Sequence, residues 1–145
     1  MRFSLVGVDA QGRSTVVSTK TIEFPADADS LAVEHLWSQS AETGGEPLAH
    51  PPESHWMDLE VSDGAVRWIM WRLPPNSVSG MHHTDTVDCQ VVLAGEVTCV
   101  LGAGEVRLGP GDAILIPGLE HQWAAGPQGC NLSGVVRGLP ARPPS

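Results

Sequence analysis

The fold of this chain is decided by GMHHTDTVDCQVVLAGE, residues 80–96, together with GPGDAILIPGLEH, residues 109–121. Both segments join glycine-containing turns to runs of apolar and β-branched residues, the pattern of short strands separated by tight turns. The segment between them continues this pattern with VTCVL, the turn GAG and EVRL. We therefore predict strands over 86–93, 97–101, 105–108 and 113–117, with turns at Gly95-Glu96, 102–104 and 109–112.

The remainder of the chain favours an all-β sandwich or barrel. It shows no alternation of strand and helix patterns and no GxGxxG, GxxxxGK[ST], GxSxG or CxxC motif. Its segments are predicted as follows: 2–9 and 14–18, a hairpin across AQG; 31–37, a short strand or one or two helical turns; 38–52, a long surface loop; 66–71 and 131–138, strands.

Composition excludes several classes of protein. The chain has 145 residues, which suits one domain with one hydrophobic core. Its formal net charge is −9 with 8 Lys and Arg, so it lacks the clustered cations that bind nucleic acid or anionic membranes. Three cysteines without CxxC spacing favour a reducing compartment. No apolar run approaches the roughly 20 residues of a membrane span, and the N-terminus is too polar for a signal peptide. We expect a cytoplasmic protein.

Alternation along residues 82–92 predicts a polar row on one face of a strand. His82, Thr84, Asp88 and Gln90 would point into the barrel, and Val87, Cys89 and Val91 would point to the other face. His82 and Asp88 are six residues apart, so they converge only if the strand curves around a barrel interior.

His121 is the second candidate imidazole, since it follows the strand predicted at 113–117 and could lie opposite His82. Two imidazoles and the Asp88 carboxylate form an open site for a divalent metal such as Fe, Mn, Ni or Zn. His83 is an alternative ligand if a bulge shifts the register. Without a metal, Thr84 and Asp88 would hydrogen-bond each other or the backbone, and His82 would act as an acid or base.

Tryptophan dominates the aromatic residues, with 5 Trp, 2 Phe and no Tyr. Trp123 lies on the strand face of His121, so we expect it in the pocket, with Trp68 and Met70 joining it there. Such a wall suits a ring-bearing ligand. The alternative is packing in the core or at a dimer interface.

The other histidines and the cysteines are expected to be inert. His35, His50 and His55 are predicted at the surface or at a pocket lid, Cys89 and Cys99 in the buried strands, and Cys130 in an exposed loop.

The two quoted segments resemble the two sequence motifs of the cupin family, G…HxHxxxxE…G and G…PxG…H. The run HHTDTVD with VVLAGEV is closer to small single-domain bacterial cupins with an H-x-T-D-T-x-D signature. The resemblance implies a cupin-type jelly-roll β-barrel with an N-terminal β-hairpin extension, in a homodimer. Counted back from Gly95, Asp88 falls where the family has Glu, Thr84 where it has its second His, and His82 where it has its first. The resemblance therefore implies three metal ligands instead of four: His82, Asp88 and His121.

We expect one domain over residues 1–145, with an extension at 1–59, a barrel core at about 60–138 and a proline-rich tail at 139–145. The first hypothesis is a metal-dependent small-molecule enzyme of secondary metabolism, an oxygenase, isomerase, decarboxylase or cyclase. Its substrate would be aromatic or polyketide-like, because a phosphorylated one would need more Lys or Arg. The alternatives are a metal-free His/Asp acid–base catalyst and a non-catalytic cupin that binds a small ligand.

Overall fold

The computed structural model describes residues 1–24, 30–41 and 61–141. Within these ranges the chain forms β-strands and no α-helix, so the predicted all-β fold is confirmed. The strands are β1 (Arg2–Val8), β2 (Ser14–Thr21), β3 (Ala32–Gln39), β4 (Val66–Leu73), β5 (Thr86–Leu101), β6 (Gly104–Leu108), β7 (Ala113–Pro117) and β8 (His121–Gly138).

The strands form two antiparallel sheets, and the long strand β5 belongs to the larger one. β1 and β2 pair only with each other, and the larger sheet has the order β3-β4-β8-β5-β6, with β7 also paired to β5. Along one edge β5 pairs with β8, and along the other it pairs first with β7 and then with β6. This arrangement brings the start of β8, which follows β7, beside the residues that precede β5.

The predicted turn at Gly95-Glu96 is wrong, because β5 runs without interruption from Thr86 to Leu101. Gly95 has a φ of 75° and lies in a bulge, where the partner in β8 changes from Cys130 at Gly95 to Ala125 at Val97. A bulge shifts and bends a strand without reversing it. β8 is likewise longer than the predicted strand 131–138, because residues 126–129 interrupt its pairing with β5 without ending the strand.

The N-terminal hairpin packs against the outer face of β3 and β4. The segment 31–37, predicted as strand or helical turns, is strand from Ala32 onward, and Leu36 in β3 forms a small buried cluster with Met70 in β4 and Ile22 after β2. Phe3 in β1 contacts the Trp68 ring edge to face, at a centroid distance of 5.5 Å. Trp68 and Met70, on the even-numbered face of β4, therefore hold the hairpin, and the odd-numbered side chains line the interior.

The main core lies between β4, β5 and β8. Its fully buried members include Val92 and Cys99 from β5 and Leu132 from β8, none more than 2 % exposed. Burial of these side chains supplies the main favourable free energy of folding.

Two expectations fall partly outside the described residues. The predicted loop 38–52 is wrong at its start, because Ser38 and Gln39 end β3, and residues 42–52 lie outside the described ranges. The tail begins with an ordered contact, since the Leu139 N–H donates to the Asp85 carbonyl at 2.8 Å.

Candidate functional site

The larger sheet lines a cavity of about 170 Å³. A cavity of roughly 150 Å³ can hold benzene, so this volume admits a molecule of at least one aromatic ring. Alternate residues of β4 and β5 line it, as their period of two requires: Arg67, Ile69, Trp71 and Leu73 from β4, and Thr86, Asp88 and Gln90 from β5.

His82 and His121 face each other across an antiparallel bridge at one side of the cavity. The His82 N–H donates to the His121 carbonyl at 2.9 Å, and the reverse bond is 2.8 Å. Their ring centroids are 4.5 Å apart. His121 is 2 % exposed and His82 is exposed, so the pair spans from the cavity wall to the solvent. The predicted opposition of these two residues is therefore present in the fold.

Main-chain carbonyls fix both rings. Nδ1 of His82 lies 2.8 Å from the Gly80 carbonyl oxygen, and Nδ1 of His121 lies 2.9 Å from the Leu119 carbonyl oxygen. Because a carbonyl only accepts hydrogen bonds, each Nδ1 must carry the proton. In the neutral form each Nε2 then keeps a lone pair for a ligand in the cavity.

Burial favours the neutral form of the His121 imidazole. Loss of hydration lowers its pKa from 6.5, and a positive charge on His82 lowers it further. The bond to the Leu119 carbonyl and the charge of Asp88 oppose this shift only in part. A neutral imidazole is the form that accepts a proton or binds a metal.

Asp88 lines the same cavity and lies at the end of a chain of hydroxyl groups. The Thr86 hydroxyl donates to Oδ1 of Asp88 at 2.6 Å, and the Thr84 hydroxyl lies 2.6 Å from that of Thr86. Burial raises the pKa of the Asp88 carboxyl above 3.8, while the Thr86 bond and the charges of His121 and His82 counteract part of this rise. Asp88 is thus coupled electrostatically to both imidazoles.

The metal ligands expected from the sequence are only partly assembled. Across residues 1–24, 30–41 and 61–141, no three His, Cys, Asp or Glu side chains are grouped closely enough to hold a metal together. His82 and His121 form a matched pair, whereas Oδ1 of Asp88 is bonded to Thr86. His83 is exposed and does not line the cavity.

Aromatic rings continue from the histidine pair along one wall. The Trp123 ring lies 5.6 Å from that of His121, and the Trp71 ring lies 5.7 Å from that of Trp123, both edge to face. All of these rings line the cavity. Such a wall favours stacking or edge contacts with a planar ligand.

The structure corrects part of the predicted pocket. Thr84, Gln90 and Trp123 line the cavity as expected, but Trp68 and Met70 do not. Both lie on the opposite face of β4, where the hairpin packs on them. Trp71 takes the expected place of Trp68 in the wall. The alternation along β4 does not show which of its faces lines the cavity, because both faces are largely apolar.

Two residues with basic side chains line the cavity, although neither was expected there. His35 in β3 and Arg67 in β4 both line it, whereas His35 was predicted at the surface or lid. Their positions depend on the pairing of β3 with β4, which no local pattern indicates. His50 and His55 lie outside the described residues.

The cysteines differ from expectation at two positions. Cys89 is exposed instead of buried, whereas Cys130 is buried instead of exposed. Burial raises the pKa of the Cys130 thiol to about 11 and also raises that of Cys99. A thiol with a raised pKa is a poor nucleophile, so neither buried cysteine is suited to nucleophilic catalysis.

Comparison with known proteins identifies the domain type. The Cupin domain family matches residues 69–128, which include His82, His121 and the two tryptophans of the cavity wall. The chain is also similar in structure to a cupin superfamily protein from Desulfitobacterium hafniense, with a TM-score of 0.52 and 14% identity, over 81% of this chain and 84% of that one. The expected cupin-type fold is thus confirmed.

Curated relatives come from the fungus Diaporthe leptostromiformis. Phomopsin biosynthesis cluster protein C' is 36% identical over 52% of this chain and 38% of its own length. Phomopsin biosynthesis cluster protein D is 44% identical over 34% of this chain and 26% of its own length. This chain thus spans well under half the length of either relative.

Within the described part of the chain, no helix has the length and apolar character to pass through a bilayer.

Proposed function

We propose that this protein, whose residues 69–128 match the Cupin domain family, is an enzyme acting on an apolar, ring-bearing small molecule in its cavity. Its reactive groups are His82, His121 and Asp88. We propose further that the imidazoles hold a divalent metal, Fe, Mn, Ni or Zn, with Asp88 as third ligand. The relatives named as biosynthesis cluster proteins support a role in making a small molecule.

The observation that carries the proposal is the matched pair of anchored imidazoles. Each ring has its Nδ1 within 2.9 Å of a main-chain carbonyl, and the rings are 4.5 Å apart. Metal-binding histidines characteristically donate their second ring N–H to such a carbonyl, which fixes the ring and raises its basicity. The two imidazoles therefore suit two of the ligand positions around one divalent metal.

Asp88 fits as third ligand only if its carboxylate exchanges the Thr86 hydroxyl for the metal. Its raised pKa reflects burial, so a cation beside it would stabilise the charged form. A metal bound there supplies a Lewis acid that polarises an oxygen atom of the substrate. The protein's own part is to orient the two imidazoles and to keep water from the apolar wall.

The aromatic wall of the cavity supports a ring-bearing substrate. Trp71 and Trp123 lie beside the imidazoles in the cavity, so a ring bound there would contact aromatic faces and edges on one side. The reacting part of the substrate would then lie against His121, whose ring is 5.6 Å from that of Trp123.

Metal content tests this proposal. We expect about one metal per wild-type chain after reconstitution with Fe(II), Mn(II), Ni(II) or Zn(II). His121→Ala and Asp88→Ala should lose it while keeping the wild-type circular dichroism spectrum, because each removes a proposed ligand. His83→Ala is the matched control, since His83 adjoins His82 but does not line the cavity, and it should bind like wild type.

Two results would contradict the metal proposal. One is wild-type protein that binds none of the four metals, and the other is equal metal content in wild type and His121→Ala. Loss of metal in His83→Ala alone would instead show that the metal binds on the exposed side of the His82–His121 bridge.

A metal-free acid–base enzyme is the second candidate, and the opposed pKa shifts favour it. Burial raises the pKa of Asp88 and lowers that of His121, and such pairs can divide acid and base roles. In this case turnover should survive a chelator, and Asp88→Asn should change its pH profile equally with and without metal. Turnover that stops on chelation and returns with one metal would exclude this candidate.

A further inference from the structure

We propose that Gln90 is a specificity-determining residue that selects ligands carrying a hydrogen-bond acceptor oxygen, such as a ketone or phenol oxygen, on their ring system. The inference rests on the proposed function of the cavity and specifies its substrate class. It concerns binding, so it can be tested without knowing the reaction.

Trp71 fixes which way the Gln90 amide points. The indole Nε1 of Trp71 lies 3.0 Å from Oε1 of Gln90. An indole N–H can only donate, so the amide atom that it meets must be the carbonyl oxygen. The NH₂ group of Gln90 is therefore held on the other side of the amide.

The Gln90 NH₂ group is left for a ligand. Gln90 is 3 % exposed and lines the cavity. Within the described part of the chain, the only hydrogen bond of its side chain is the one that the amide oxygen accepts from Trp71. Buried donors are nearly always satisfied, so a donor held in a ligand cavity is suited to an acceptor on the ligand.

The absence of a side chain at Gly134 makes room for the Gln90 amide. Gly134 pairs with Gln90 across β5 and β8, and a Cβ at this position would overlap the amide group of Gln90. Glycine weakens the interior of a strand, and it often marks a place where another group approaches the backbone closely. Here that group is the Gln90 amide, which lies against the backbone of β8.

The donor also lies beside the aromatic wall. Trp71, which binds Gln90, contacts Trp123 edge to face at 5.7 Å, so a ring against this wall has its rim near the amide. An acceptor oxygen on the rim would receive the Gln90 N–H. A ligand without that oxygen would cover the donor and leave it unsatisfied.

Two probes with one carbon skeleton test this inference: 1-tetralone, which carries a ketone oxygen, and tetralin, which lacks it. Their dissociation constants are measured by tryptophan fluorescence on the full chain. Gln90→Met removes the donor at similar side-chain length. We expect it to weaken tetralone binding about 5- to 10-fold and to change tetralin binding by less than about 2-fold.

Trp71→Phe serves as a second variant, because it keeps an aromatic ring and removes the N–H that orients Gln90. It should weaken tetralone binding by roughly 2- to 5-fold more than tetralin binding. A merely structural role of either residue would weaken both probes equally.

Equal effects on the two probes, or no effect on tetralone, would overturn the inference. So would wild-type protein that binds neither probe. Metal content, which involves no ring-bearing ligand, decides the proposed function separately, so the two can fail independently.

Discussion

Gly95→Ala is expected to destabilise the folded chain by about 2–5 kcal/mol, the sum of left-handed backbone strain and overpacking. Gly95 has a φ of 75°, which is costly for any residue with a Cβ. A Cβ there would also lie 3.0 Å from Cα of Cys130 and even closer to the Gly129 carbonyl. These are backbone atoms of β8, so no side-chain rotation relieves the overlap.

Gly111→Ala is the matched control for this substitution. Gly111 has a φ of 91°, but a Cβ there meets nothing within 4 Å. It should therefore cost only the backbone strain, about 1–2 kcal/mol. Urea unfolding of both variants measures the difference. Equal losses at the two positions would show that the bulge does not depend on close approach of β5 and β8.

The Gly95 bulge also bears on the site. Beyond it, Val97–Leu101 pairs with the start of β8, where Leu101 is the partner of His121. A shift of this register would move His121 relative to His82. Gly95→Ala protein that folds should therefore bind metal more weakly than Gly111→Ala protein.

Leu132→Ala is the second substitution with a large expected effect. Leu132 is 0% exposed, and it packs in the main core with Val92 and Trp123. Truncating a buried leucine costs its burial and leaves a cavity, together about 2–5 kcal/mol. Thermal or urea unfolding at constant pH measures the loss.

Leu115→Ala is the control for the core substitution, because it makes the same chemical change at a residue that is 60% exposed. Its effect should stay within about 0.5 kcal/mol. A loss as large as that of Leu132→Ala would mean that Leu115 is covered in solution, for example by another copy of the chain.

Local sequence patterns were sufficient for most of the strands. Alternation placed Thr84, Asp88 and Gln90 on one side of the chain, and all three line the cavity. The motif HHTDTVD with a later histidine also anticipated the opposition of His82 and His121. These features follow from the period of a strand and from turn residues, which are local properties.

Features set by tertiary contacts were missed. Trp68 and Trp71 occupy opposite faces of β4, and which face meets the cavity depends on where the hairpin packs. The sequence predicts a turn at Gly95 because a glycine with left-handed backbone angles occurs in both turns and bulges. Only its register with β8 distinguishes the two.

The most direct test of the proposed site is anomalous diffraction from crystals of the zinc-loaded protein, recorded at the zinc edge. We expect one strong peak about 2.0–2.1 Å from Nε2 of both His82 and His121, the ordinary Zn–N distance. The Nδ1 contacts to the Gly80 and Leu119 carbonyls should be retained. A peak elsewhere in the chain, or no peak in zinc-saturated crystals, would contradict the assignment of this pair as the metal-binding centre.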